Sequence, residues 1–251
     1  MIKVLRSLLV MIGLTAGWQL LVTVTDVPPY ILPGPGVVAQ TLLTRFPTLL
    51  PHATYTLSEI LLGFGLGALL GMISALLLAT VRPLQVWLSP ILVMTQSLPV
   101  FALAPLLVLW LGYGLASKIA MAVLIIYFPV ASAFYDGLQR TPKDWRDLGR
   151  IMKSNRMAFL WHVRIPFALP SLASGLRVAM VSAPIGVIVG EWVGSSRGLG
   201  YLMLHANGRM QIDLLFAALV ILMIMALFLY QLTDQLLKRL LKHFSLDEDK
   251  I

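Results

Sequence analysis

The chain has 251 residues, 59% of them hydrophobic and only 12% charged, with a formal net charge of +8. Soluble domains carry about 25% charged residues, and half that allowance cannot cover a soluble fold of this length. The composition therefore excludes a soluble globular protein and points to an all-α, polytopic membrane protein. No cysteine is present, so disulfides and cysteine metal sites are excluded. His52, His162, His205 and His243 are scattered without ligand spacing, and no metal or cofactor is expected. The positive charge reads as membrane topology rather than affinity for nucleic acid, because Lys and Arg are retained on the cytoplasmic side of spans.

A helix needs about 20 apolar residues to cross the hydrocarbon core, and six stretches qualify. The first, near 7–24, follows Lys3 and Arg6 and lacks a small-x-small cleavage site, so it reads as a retained span rather than a leader. PPYILPGPG (28–36) is too rich in proline to be helical, and 37–50 reads as one short interfacial helix. The second span, 56–80, contains GFGLGALLG; Gly63, Gly67 and Gly71 fall on one face and invite a neighbouring backbone. In the third, 84–111, Pro99 and Pro105 imply an interrupted helix. Broken helices either line transport paths or serve structure alone. The fourth, 117–134, ends near Asp136; the fifth and sixth cover 172–193 and 214–236, joined by a loop at 194–211.

With both termini in the cytoplasm, fourteen of the 19 Lys and Arg residues fall inside, against Arg45, Lys118, Arg197 and Arg209 outside. That orientation places a basic island, within a coupling loop at 137–170, in the cytoplasm. Thr141 is placed as an N-cap, Pro142 at the first helical position and Asp144 three residues after the cap. A short helix then runs to about Met152. A second starts near Ser154 or Asn155 and stops before Pro166. Trp145, Leu148, Ile151 and Met152 share a face of the first, and Met157, Leu160, Trp161 and Val163 cluster on the second. Such a surface either docks a partner protein or packs on its own span ends and anionic lipid headgroups.

Three further features stand out. Glu191 ends an uncharged run and is either a pathway and gate residue, with Pro99 and Pro105, or an interfacial acid tied to Arg197 or a backbone amide. Arg177 is placed to snorkel to the cytoplasmic headgroups. Gly175, Ala179, Ala183, Gly186 and Gly190 form a small-residue stripe for close helix packing at a dimer interface, with Pro184 as a kink. Trp87, Trp110 and Trp192 read as interface anchors.

The island followed by IPFALPSLASGLRVA resembles the EAA loop of bacterial ABC importer permeases, E-A-A-x-x-x-G with a hydrophobic-x-hydrophobic-Pro ending. Aligned on Ile165 and Pro166, Asp147, Leu148 and Gly149 take the E-A-A positions and Lys153 takes that of the glycine. Asp147 keeps the acid; both alanines and the glycine are replaced. The segment APIGVIVGEWVGSSRGLGYLMLHANGRMQ (183–211) is similar to permeases of the sulfonate, nitrate, taurine and thiamine-precursor branch, most of all those for hydroxymethylpyrimidine.

The resemblance covers nearly the whole chain and implies a single permease domain over 1–251, multi-pass in the bacterial inner membrane. It implies two permease subunits, as a homodimer with a second copy or as a heterodimer, with two cytoplasmic ATP-binding subunits and a periplasmic or lipid-anchored solute-binding protein as partners. ATPase coupling would fall on Asp144, Trp145, Asp147, Leu148, Gly149, Ile151 and Met152. Asp147 would either pair with a partner cation or simply favour the helix dipole. The chain has no G-x-x-x-x-G-K-[ST] phosphate loop, so ATP hydrolysis would reside elsewhere and the chain is not an enzyme. An ion-coupled transporter would instead need charges near the bilayer midplane, and a membrane enzyme a convergent catalytic set; none of the six spans carries a charge at its centre, and no such catalytic spacing appears.

Overall fold

The computed structural model describes residues 2–81, 94 and 99–244, and among these there is no strand. The helices are α1 (Ile2–Thr25), α2 (Pro35–Thr44), α3 (Phe46–Thr80), α4 (Val100–Leu111), α5 (Leu115–Gln139), α6 (Lys143–Ile151), α7 (Arg156–Phe159), α8 (Ile165–Gly194), α9 (Leu199–Gly208) and α10 (Ile212–Phe244). A π-helical turn, Leu160–Arg164, joins α7 to α8. Four described segments are long and apolar enough to cross a membrane: Phe46–Thr80, Leu115–Gln139, Arg156–Gly194 and Ile212–Lys242. Two shorter apolar helices, Leu9–Thr25 and Val100–Leu111, coincide with the first expected span and the second half of the third. Most of the remainder of that third span, with Trp87, lies outside the described residues.

Several boundaries differ from the sequence expectation. Residues 37–50 do not form one helix. Pro47 has no N–H to give to the carbonyl of Leu43, so the chain breaks at Arg45 and the rest joins α3. Pro99 does not sit inside a helix but starts α4, with extended backbone; Pro105 lies within it. Gly112, at φ 81°, ends α4 in a conformation open to glycine at little cost. The stretch 194–211 holds a helix, α9, rather than a plain loop.

The fifth span begins well before residue 172. The second island helix does not stop before Pro166; it runs on through the π turn into α8. Pro166 cannot donate to His162, and a widened turn, closed by the Ile165 N–H on the Leu160 carbonyl, accommodates that loss.

The chain resolves into two compact units, 1–56 with 196–224 and 57–195 with 225–251. In the first, Trp18 packs on Phe216 with ring centroids 5.6 Å apart, and Thr41 Oγ1 donates to Asp213 Oδ2 at 2.9 Å. The start of α9 lacks a side-chain cap because residue 198 is glycine. Its orphan N–H groups go to α3 instead: Gly198 N donates to His52 Nδ1 at 3.0 Å and Leu199 N to Thr56 Oγ1 at 2.8 Å. Tyr201 lies between the rings of His52 and His205.

The second unit is built on a core shared by α3, α5, α8 and the later part of α10, including Ile60, Ile126, Val130, Leu138, Ala179, Val187 and Leu229. The three glycines of α3 receive α5: a Cβ at position 67 would meet Ile126 Cγ2 at 2.8 Å, and one at 71 the Tyr127 carbonyl at 2.9 Å. The stripe on α8 receives the other side of the same helix. A Cβ at 175 would lie 2.7 Å from the Pro129 carbonyl, and one at 190 would lie 3.1 Å from Lys118 Cα. Close packing is thus what these small residues do, and the partner is α5 of the same chain; that face of α8 is not open to a second copy. α8 continues past Pro184, which is buried.

Candidate functional site

Two places in the second unit gather the chemistry: the loop between α5 and α8, and a buried charge cluster. In the loop, the expected capping box does not form. Pro142 takes the N-cap position, and the buried Thr141 turns its hydroxyl back onto the Leu138 carbonyl at 3.2 Å, closing the end of α5 instead. α7 starts as expected, with Asn155 Oδ1 accepting from Met157 N at 3.1 Å.

α6 has no buried residue. Gly149 presses on Phe159, where a Cβ would lie 2.8 Å from two ring carbons, and Trp145 meets the Phe167 ring at 5.7 Å. These contacts hold α6 on one side. Along the same loop, Leu148 stays 46% exposed and Ile151 79% exposed, and Met152, Met157 and Trp161 are also open. Leu160 leaves the expected second cluster and enters the core. Asp144 lies in the first turn of α6 and Asp147 pairs with Arg150 at 3.1 Å, both on the exposed surface. So the arrangement brings together an unpartnered apolar patch rimmed by charge.

The end of α6 explains the lost glycine. Lys153 N donates to the Arg150 carbonyl at 3.0 Å and Ser154 N to the Gly149 carbonyl at 2.9 Å, the paired bonds of a Schellman stop. That stop puts Lys153 at φ 48°, where a Cβ is strained by about 1 kcal/mol and glycine is not. The turn survives the substitution. Lys153→Gly should therefore stabilise the loop by about 1 kcal/mol, read as slower amide exchange at Ser154; slower exchange in the lysine form would contradict it.

The charge cluster was only partly visible in sequence. Lys118 Nζ lies 3.0 Å from Glu59 Oε1, and the two side chains are 2% and 0% exposed. The Glu191 carboxyl, also buried, stands within hydrogen-bonding reach of Glu59. Three helices, α3, α5 and α8, thus bring two carboxylates and one ammonium to one point inside the unit. Lys118 is no loop charge, and Glu191 is not placed where exposure to water is cheap. Glu59 was missed altogether; the available signal was a lone acid inside an apolar span, which must find a partner. Arg177 does not snorkel: its Nε donates to Asp234 Oδ1 at 2.7 Å, and Lys238 holds the other carboxylate oxygen at 2.6 Å.

Residues 67–243 match the family described as binding-protein-dependent transport system inner membrane component. The chain belongs to this family. It is 55% identical over 238 residues to a probable ABC transporter permease protein of Haemophilus influenzae, covering 95% of this chain and 97% of that one. It is 38% identical over 174 residues to the formylaminopyrimidine transport permease protein of Halalkalibacterium halodurans, covering 69% and 70%. It is also 38% identical over 226 residues to the riboflavin transport system permease protein of Chloroflexus aurantiacus, covering 89% and 84%.

This permease is accordingly an integral inner-membrane component of an ABC transporter, and hydrolysis of ATP falls to a separate subunit. Its α5–α8 loop and its buried cluster lie within the matched residues, apart from Glu59.

Proposed function

We propose that the permease is one of two identical spanning subunits of an importer whose cytoplasmic ATPase docks on α6. The observation that carries this reading is the open apolar patch of Leu148, Ile151 and Met152. It stands on a short helix fastened by ring contacts at Trp145 and Gly149, and nothing among the described residues covers it. Under this reading the loop and both termini face the cytoplasm, in line with the Lys and Arg distribution. Asp144 and Asp147 would meet basic groups on the motor. Val178, Val181, Ile185 and Trp192, exposed apolar residues along α8, offer a face for the second copy. Glu59, Lys118 and Glu191, near the end of α8 remote from the loop, would form a gate, with Pro99 and Pro105 allowing α4 to yield beside it.

Affinity purification of the tagged permease from its own cells tests the reading. The importer reading expects an ATP-binding subunit and a solute-binding protein to be retained; a permease that transports with neither would overturn it. An ion-coupled mechanism has one observation in its favour, the buried cluster. It expects uptake to collapse with a protonophore and to survive loss of the ATPase, the reverse of the importer.

For the solute, we infer a thiamine pyrimidine precursor. Support comes from the 183–211 segment and from a 38% identical relative named for formylaminopyrimidine. The relative named for riboflavin also concerns a heteroaromatic solute, which favours that class over sulfonate, taurine or nitrate. Labelled hydroxymethylpyrimidine should fail to enter a strain lacking this chain, whereas labelled taurine should enter normally. The opposite pair of results would reassign the solute.

A further inference from the structure

We propose that Arg164 is a positioning residue that fastens the docking loop to two spans, so that a push on α6 reaches α3 and α5 as well as α8. The inference rests on the reading of α6 as the motor's docking helix and deepens it. Arg164 closes the π turn at the root of α8. Its Nε and Nη2 donate to the Leu138 carbonyl at 3.2 and 3.0 Å, and its Nη1 donates to the Ala79 carbonyl at 3.2 Å. Leu138 and Ala79 lie in the last turns of α5 and α3. Carbonyls there have no partner within their own helices, and a cation beside them gains from the partial negative charge of the helix end.

The side-chain type matters. A guanidinium offers five donors in a planar fork and can hold two acceptors at a fixed angle; an ammonium is a single point of charge. A guanidinium serving only lipid headgroups would extend outward, yet this one donates to two main-chain carbonyls and is partly buried.

The loop side of the connection is equally specific. α6 rests on Phe159 through Gly149 and on Phe167 through Trp145, and those two rings flank Arg164 in the chain. The Thr141 hydroxyl adds a further donor to the same Leu138 carbonyl. A force on α6 is therefore delivered to the segment 159–167, whose one charged fork grips two other helices. The π turn sets this up, since a widened turn shifts the direction of every side chain after it.

The test uses the assembled transporter with its ATPase in lipid discs. Spin labels are placed at Ser154→Cys, after α6, and Val81→Cys, after α3; the chain has no cysteine to compete. In transporters where only one of the two copies carries the labels and Arg164 is present, the label-to-label distance should be single and unchanged by ATP with vanadate, because the two sites move together. With Arg164→Gln the distribution should broaden and shift when nucleotide is trapped, while the ATPase remains bound. Arg164→Lys should fall between. An unbroadened distance in R164Q overturns the proposal, as does a nucleotide-dependent shift with Arg164 in place. If both variants fail to assemble, Arg164 is a folding residue and the proposal is likewise overturned. A native permease that retains no ATPase is a separate result, which removes the docking reading itself.

Discussion

Replacing Leu148 and Ile151 together by Asp should abolish retention of the ATPase while leaving the permease folded. Both side chains stand open on α6, and α6 buries none of its residues in the chain. Surface changes of that kind alter folding stability by only about 0.5 kcal/mol. In a docked complex the same two residues would be apolar anchors, each worth about 2 kcal/mol when truncated. Their joint loss of about 4 kcal/mol is on the order of a thousandfold in affinity. Pull-down of the ATPase with solubilised variant and parent permease, together with their melting temperatures, separates the two effects. Undiminished capture would mean that α6 is not the anchor.

Lys118→Met should be the most destabilising single change in the molecule. It leaves the Glu59 carboxyl buried with its cation removed, next to the buried Glu191. Breaking a buried pair in this way costs about 3–5 kcal/mol, because the surviving charge has no water to turn to. The triple change Lys118→Met, Glu59→Gln, Glu191→Gln should recover most of that loss, since a neutral set of similar volume removes the penalty. Thermal unfolding in detergent reads both. A triple variant no more stable than K118M would show that the lysine matters for packing against Gly190 rather than for charge.

What the sequence makes plain and what it hides divide along physical lines. Hydropathy locates the long spans because crossing a bilayer is a matter of length and apolarity, and Phe46–Thr80 and Ile212–Lys242 satisfy both by wide margins. Gly63, Gly67 and Gly71 announce a close helix contact because their spacing fixes a face; which helix fills it is not local information, and α5 fills it from one side while receiving the stripe of α8 on the other. Capping at α6 misleads because Thr141 stands between the free carbonyls that end α5 and the free N–H groups that start α6, and its hydroxyl donates to Leu138 instead of accepting from α6. Pro166 likewise reads as a stop, since its missing N–H is visible, whereas the π turn that absorbs the loss is not. The charge cluster is the least legible feature. Glu59 reads as an acid in an apolar span that must find a partner, but Lys118 and Glu191 are far from it in the chain and nothing local says that they are the ones it meets.

The continuity of α8 with the docking loop has a mechanical consequence. Its 30 residues form a rod about 45 Å long at about 1.5 Å per residue. Such a rod works as a lever: tilting it by about 5° at the root swings the opposite tip about 4 Å. Glu191 rides near that tip. Under the proposed docking on α6, a motor stroke of modest amplitude at the root would carry the Glu191 carboxyl through that distance at the other end.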